Sequence, residues 1–230
     1  KYTTLTNASF KESTLSNADL RKTDGLQVQA IAQANVSNAK LPDDVAKFDG
    51  LTTLEAASRS ARKLFIALGL ACAYAALAIS TGGHENASLV DVFTGSEGTL
   101  TLPFIDVEIS IWGFHVVIPI LLGLGFGYFH LQMQRVWEEM SRLPAVFPDG
   151  KAIDQKIHPW LITGLARAHV PFLRDDPVPL FPLQKLVVII LAWGTVPLTQ
   201  AYFVGSFVTR FPQHALLSGL GTALVAMTIG

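Results

Sequence analysis

Two rhythms of apolar and polar positions divide the chain. In the first forty residues an apolar side chain recurs at every fifth position: Leu5, Phe10, Leu15 and Leu20, then, after one inserted residue, Leu26, Ile31, Val36 and Leu41. Neither a helix with period 3.6 nor a strand with period 2 places every fifth residue on one face. A chain wound into coils with short sides does, provided the apolar residue and a small residue two positions ahead point inward. Small residues stand at that second position in most turns, as Thr3, Ala8, Ser13, Ala18, Ala34 and Ala39, with Gln29 as the bulky exception. The pattern predicts a wound repeat over residues 1–41, with a short helix or cap in 27–34, followed by a linker over 42–60 that begins a helix.

The second rhythm is an absence. Residues 64–83, 109–134, 186–209 and 211–230 contain no Lys, Arg, Asp or Glu. Each run approaches the roughly 20 residues a helix needs to cross a hydrocarbon layer about 30 Å thick. Their apolar positions are continuous rather than alternating, which favours helices over barrel strands. The expected transmembrane domain therefore covers 61–230, with helices at about 62–82, 111–140, 184–208 and 213–230 and a cytoplasmic loop over 141–183. Asp49-Gly50 predicts a turn, and Thr52 or Thr53 a cap for a helix that runs through 54–68 without Pro or Gly. Alternation at 99–102 and 106–109 predicts a hairpin, and Pro119 and Pro197 predict kinks. Ile153, Ile157, Trp160, Leu161 and Leu165 follow helical spacing, which predicts an interfacial helix with Trp160 at headgroup depth.

Composition agrees with the second rhythm: 50% of residues are hydrophobic and 15% charged, against about 25% charged in ordinary soluble domains. Mean hydropathy is +0.39. The basic residues set an orientation. Arg59, Arg62 and Lys63 precede the first run, and residues 83–108 carry five acids and no Lys or Arg. Arg135, Arg142, Lys151, Lys156, Arg167, Arg174 and Lys185 crowd the loop between the second and third runs. By the positive-inside rule the N-terminus and this loop are expected on the cytoplasmic side of a multi-pass membrane protein. A formal net charge of −1 argues against a nucleic-acid partner, which requires a basic face. The lone Cys72 excludes a disulfide framework.

The five-residue pattern, carried best by Asn17-Ala18-Asp19-Leu20 and Ala34-Asn35-Val36, resembles the pentapeptide-repeat family. That resemblance implies a right-handed quadrilateral β-helix with about four repeats per coil. The chain is also similar to bacterial membrane proteins in which such repeats precede a four-helix membrane region. The segments that carry this likeness are residues 60–65, 143–150 and 159–161. It implies architecture and a bacterial source, not an activity. Because the chain starts at Lys1 and stops inside an apolar run, it reads as part of a longer protein, with further repeats expected ahead of Lys1.

Candidate chemistry is sparse. His130, Gln134 and Glu138 share one helix face and form a possible intramembrane polar stripe. Gly123 and Gly127, together with Ala67, Ala71, Ala75 and Gly221, suit close helix packing. No arrangement matches a catalytic triad, a metal motif or a phosphate loop, so no enzyme activity, metal or cofactor is expected. The expected role is a membrane scaffold whose coil docks a protein partner or organises a larger membrane complex, with the lipid bilayer and a protein partner or a homo-oligomer as its expected partners. The alternative is a small oligomeric ion channel or transporter.

Overall fold

The computed structural model describes residues 3–81, 99–101, 108–157, 160 and 181–210. It divides into two compact units, Lys1–Arg62 with Leu131–Val188, and Lys63–His130 with Ile189–Gly230.

The first unit begins with the wound segment. Strands β1 (Thr3–Thr4) and β2 (Thr23–Asp24) pair in parallel. Isolated parallel bridges join Thr14 to Asn35 and Asp19 to Lys40. The chain thus meets itself after about four five-residue steps. Backbone N–H groups of Leu5, Phe10, Leu15 and Leu20 donate to carbonyls of Asp24, Ala30, Asn35 and Lys40 at 2.7–2.8 Å. Asn7, Glu12, Asn17, Gln33 and Asn38 take left-handed φ values of 55–63°, one per step, and turn the corners. Asn tolerates that region better than most residues, which accounts for its recurrence in the repeat. The pairing offset is 20 residues at Thr3 and 21 at Thr14. Gly25, at φ 75°, lies where the extra residue enters. A Cβ there would collide with the Thr6 hydroxyl, so the corner requires glycine. A 3-10 turn over Val28–Ile31 replaces the regular side, and Gln29 on it is exposed. Within residues 3–41 the extended pairing is confined to β1, β2 and these bridges.

The other side of the second coil is closed by residues from far along the chain. N–H groups of Gln33, Val36 and Asn38 donate to carbonyls of Leu143, Val146 and Pro148 at 2.8, 3.0 and 2.9 Å, while Ala145 N–H returns to Ala34. Asn35 and Val146 form a parallel bridge, so the loop after the second long helix lays a further rung on the coil. The loop then doubles back through Gly150 (φ 76°), with Val146 bridged antiparallel to Ala152. The Phe147 ring, 1% exposed, meets Phe48 edge-on at 4.9 Å.

Helix α1 spans Gly50–Thr81 and α2 spans Ile111–Ser141. The first starts at Gly50, two residues before the anticipated threonine cap. The Thr52 hydroxyl instead donates to the Asp49 carbonyl, 2.8 Å away. Near its start, Leu54, Ala57, Ser58 and Ala61 form one buried face at 3–4 residue spacing. A Cβ on Gly50 would lie 3.2 Å from Leu143. Helix α3 is a single turn, Ile153–Lys156, and Ile157 is already extended (φ −99°, ψ 149°). The longer interfacial helix is therefore not formed across Ile157. The Trp160 indole N–H donates to the buried Ser58 hydroxyl at 2.9 Å. Ile153 and Ile157 spend their apolar surface inside the protein instead.

The second unit holds strands β3 (Thr99–Thr101) and β4 (Glu108–Ser110), paired antiparallel with Leu100 opposite Ile109, as the alternation predicted. Its core gathers Cys72, Ala75, Ala78 and Ile79 with Phe114, Leu122, Phe126, Val196, Phe203 and Phe207. Ala67 and Ala71, expected at the packing face, are exposed, and Cys72, Ala75 and Ala78 take that role.

Three helical segments are long and apolar enough to cross a membrane: Gly50–Ser80, Gly113–Ser141 and Pro182–Val208. At 1.5 Å per residue, 31, 29 and 27 residues exceed a hydrocarbon layer of about 30 Å, so each projects beyond it. The third is composite: α4 (Phe181–Val188), a π turn (Ile189–Gly194) and α5 (Thr195–Arg210). Pro197 explains the break. Its ring crowds the carbonyl four residues back and offers it no N–H, and the widened turn just ahead relieves both. The Thr195 hydroxyl donates to the Leu191 carbonyl at 2.8 Å. The fourth expected span, 213–230, and Gly221 lie outside the described residues.

Candidate interaction surface and intramembrane polar contacts

The eight repeat positions turn inward to different degrees. Leu26, Ile31, Val36 and Leu41 are buried, whereas Leu5, Phe10, Leu15 and Leu20 are half-buried. The difference follows from stacking: the second coil has a rung on either side, the first on one. Between the inward positions, Lys11, Glu12, Asn17, Asp19, Arg21, Lys22, Asn38 and Lys40 face solvent. Arg21 grips Asp19 with two parallel bonds, Nε to Oδ1 at 3.0 Å and Nη2 to Oδ2 at 2.7 Å. Hydrogen bonds from the Arg21 guanidinium, and then from its backbone N–H, hold the Asp19 carboxyl well below the usual carboxylate range. The outer wall of the coil thus carries exposed side chains of both charge signs on a hydrogen-bonded backbone frame. Such a surface can recognise a partner without first being ordered.

Along the expected stripe of His130, Gln134 and Glu138 the side chains make different contacts. The His130 Nδ1 lies 3.0 Å from the Phe126 carbonyl of its own helix, and its ring packs edge-on to Phe126 and Phe129. Gln134 and Glu138 are exposed, with the Gln134 amide donating to Glu138 Oε1 at 3.5 Å. At Gly123 an added Cβ would come within 3.2 Å of Gln200 Nε2, and at Gly125 within 2.9 Å of Leu68. Gly127 meets no described atom within 4 Å, so close approach belongs to Gly123 and Gly125.

The buried polar groups lie elsewhere. Gln200, 1% exposed, donates from Nε2 to the Pro119 carbonyl at 3.2 Å and so ties α5 to α2. His115 Nε2 lies 3.0 Å from Ser206 Oγ, among the rings of Phe114, Phe203 and Phe207. Sequence reading passed over these residues, although a lone amide in an apolar run such as Gln200 is itself a signal. Each is paired, which is how buried polar groups persist where water cannot help. No cluster of three His, Cys, Asp or Glu that could hold a metal occurs among the described residues. Two apolar grooves of about 340 and 370 Å³ open beside α1 in the second unit. Comparison of the chain with protein-family models, curated proteins and solved structures finds no match in any of the three.

Proposed function

We propose that the protein is a multi-pass scaffold of the bacterial inner membrane. In this reading its N-terminal segment is a pentapeptide-type quadrilateral β-helix on the cytoplasmic side, a fourth span follows the three described, and the coil docks a protein partner or a further copy. The observation that carries the reading is the coil's frame. Its backbone is bonded both to itself and to the 143–148 loop, while its outer wall stays exposed and charged. A rigid surface of that kind suits recognition, because it need not be ordered on binding.

The test is co-purification from mild detergent. Wild type should bring down a stoichiometric partner, Ile31→Asp should lose it by unfolding the coil, and an Arg21→Glu/Lys22→Glu pair should lose it with the coil intact. Recovery of a lone monomer from wild type, or retention of the partner by both variants, would overturn the proposal. A second reading, an oligomeric channel or transporter, is favoured by the buried His115–Ser206 pair, since intramembrane ionisable residues often mark ion paths. Ion flux in liposomes that His115→Ala abolishes would support it, and absence of flux from wild type would end it.

A further inference from the structure

We infer that the groove on the Lys63 side of the second unit binds the acyl chain of an anionic phospholipid, with Lys63 holding its phosphate. The groove, about 340 Å³, is lined by Phe65, Ile66, Gly69, Leu70, Phe129 and Leu191 among others, nearly all apolar. Ile66, Leu70 and Leu191 are 47%, 67% and 44% exposed, so the groove opens sideways from the span rather than into a sealed cavity. The one hydroxyl in its lining among the described residues, Thr195, is turned to the Leu191 carbonyl. What remains is an apolar slot in a membrane-crossing segment, and the occupant with that chemistry is a hydrocarbon chain.

The headgroup follows from position. Lys63, Ile66 and Leu70 lie at i, i+3 and i+7 on α1, hence on one face. From Lys63 to Leu70 the helix rises about 10 Å, roughly the depth from a lipid phosphate to mid-chain. Lys63 is exposed and makes no ion pair among the described residues. A cation at the mouth of an apolar slot complements a phosphate with no cation of its own, and selects an anionic lipid over a zwitterionic one. The π turn supplies the third wall, since Leu191 and Ala192 come from its widened backbone. This inference is independent of what the coil docks.

Native mass spectrometry of the full chain in detergent, titrated with dioleoylphosphatidylglycerol or dioleoylphosphatidylcholine, tests it. Wild type should retain one phosphatidylglycerol in preference to phosphatidylcholine. Lys63→Gln should reduce that preference about fivefold, the weight of one basic residue at a membrane surface. Gly69→Leu, where an added Cβ meets open space, should fill the slot and abolish retention of either lipid, while Gly127→Leu should leave it unchanged. Equal retention by wild type, Lys63→Gln and Gly69→Leu would overturn the inference, as would a dimer mass lost only in Gly69→Leu, which would make a second copy the occupant. Should Gly69→Leu fail to fold, the loss or persistence of selectivity in Lys63→Gln still decides.

Discussion

At the scale of single residues, stability should follow the burial gradient along the coil. Ile31 and Val36 are fully buried, whereas Leu15 sits on a half-open turn. Ile31→Ala should cost about 2–4 kcal/mol and Leu15→Ala clearly less, because only the first leaves an enclosed cavity. Chemical unfolding of the two variants, followed by protease protection of the coil, checks the order; equal costs would mean the five-residue rhythm is not a packed core. Gly123 and Gly127 make a second contrast. Gly123→Ala drives a methyl toward Gln200 Nε2 and should lower thermal stability in detergent, while Gly127→Ala should be neutral or better, since a helix gains from Ala over Gly. Asp149 gives a pH dependence. The hydrogen bond from Lys156, 2.6 Å away, together with the Lys151 N–H, lowers its carboxyl below the ordinary 3.8. A carboxyl lowered in the folded state adds stability above its unfolded value and loses it as pH falls through the folded one. The 143–156 loop should therefore loosen below about pH 4, by less than about 1 kcal/mol because the Asp149 side chain is 42% exposed. Melting curves at neutral and acid pH should show that loss in wild type and not in Asp149→Asn.

Among the elements, those announced by a local rhythm were readable and those made by distant partners were not. The apolar beat at Leu5 to Leu41, the 99–101/108–110 hairpin and three of the charge-free spans all follow from spacing within a few residues. The rung laid by residues 143–148 has no such signal. It pairs through backbone groups with a coil about a hundred residues earlier. The contact of Trp160 was hidden for a related reason: an amphipathic spacing fits either a lipid surface or a protein groove, and the partner hydroxyl on Ser58 is remote in sequence. Pro197 did announce a break in the third span, but the form it takes, a π turn, depends on Thr195 reaching the Leu191 carbonyl. Thr195→Val should accordingly cost about 1 kcal/mol and Thr195→Ser almost nothing, measured as resistance to denaturing detergent. A Thr195→Val protein as stable as wild type would show that the hydroxyl does not support the turn.

On the scale of the whole molecule, the first unit joins the coil to the beginning of α1 and the end of α2 through one set of backbone bonds and one aromatic contact. The N–H groups of Gln33, Val36 and Asn38 are the most direct reporters, because their acceptors are Leu143, Val146 and Pro148. Hydrogen–deuterium exchange of the full chain in detergent reads them individually. If the loop closes the coil, all three amides are protected to the same degree as the Leu15 N–H, which bonds within the coil to Asn35. Phe147→Ala, which removes the ring packed on Phe48, should then release the three while Leu15 stays protected. Exchange of Gln33, Val36 and Asn38 at the rate of exposed amides in wild type, or protection unchanged in Phe147→Ala, would contradict it.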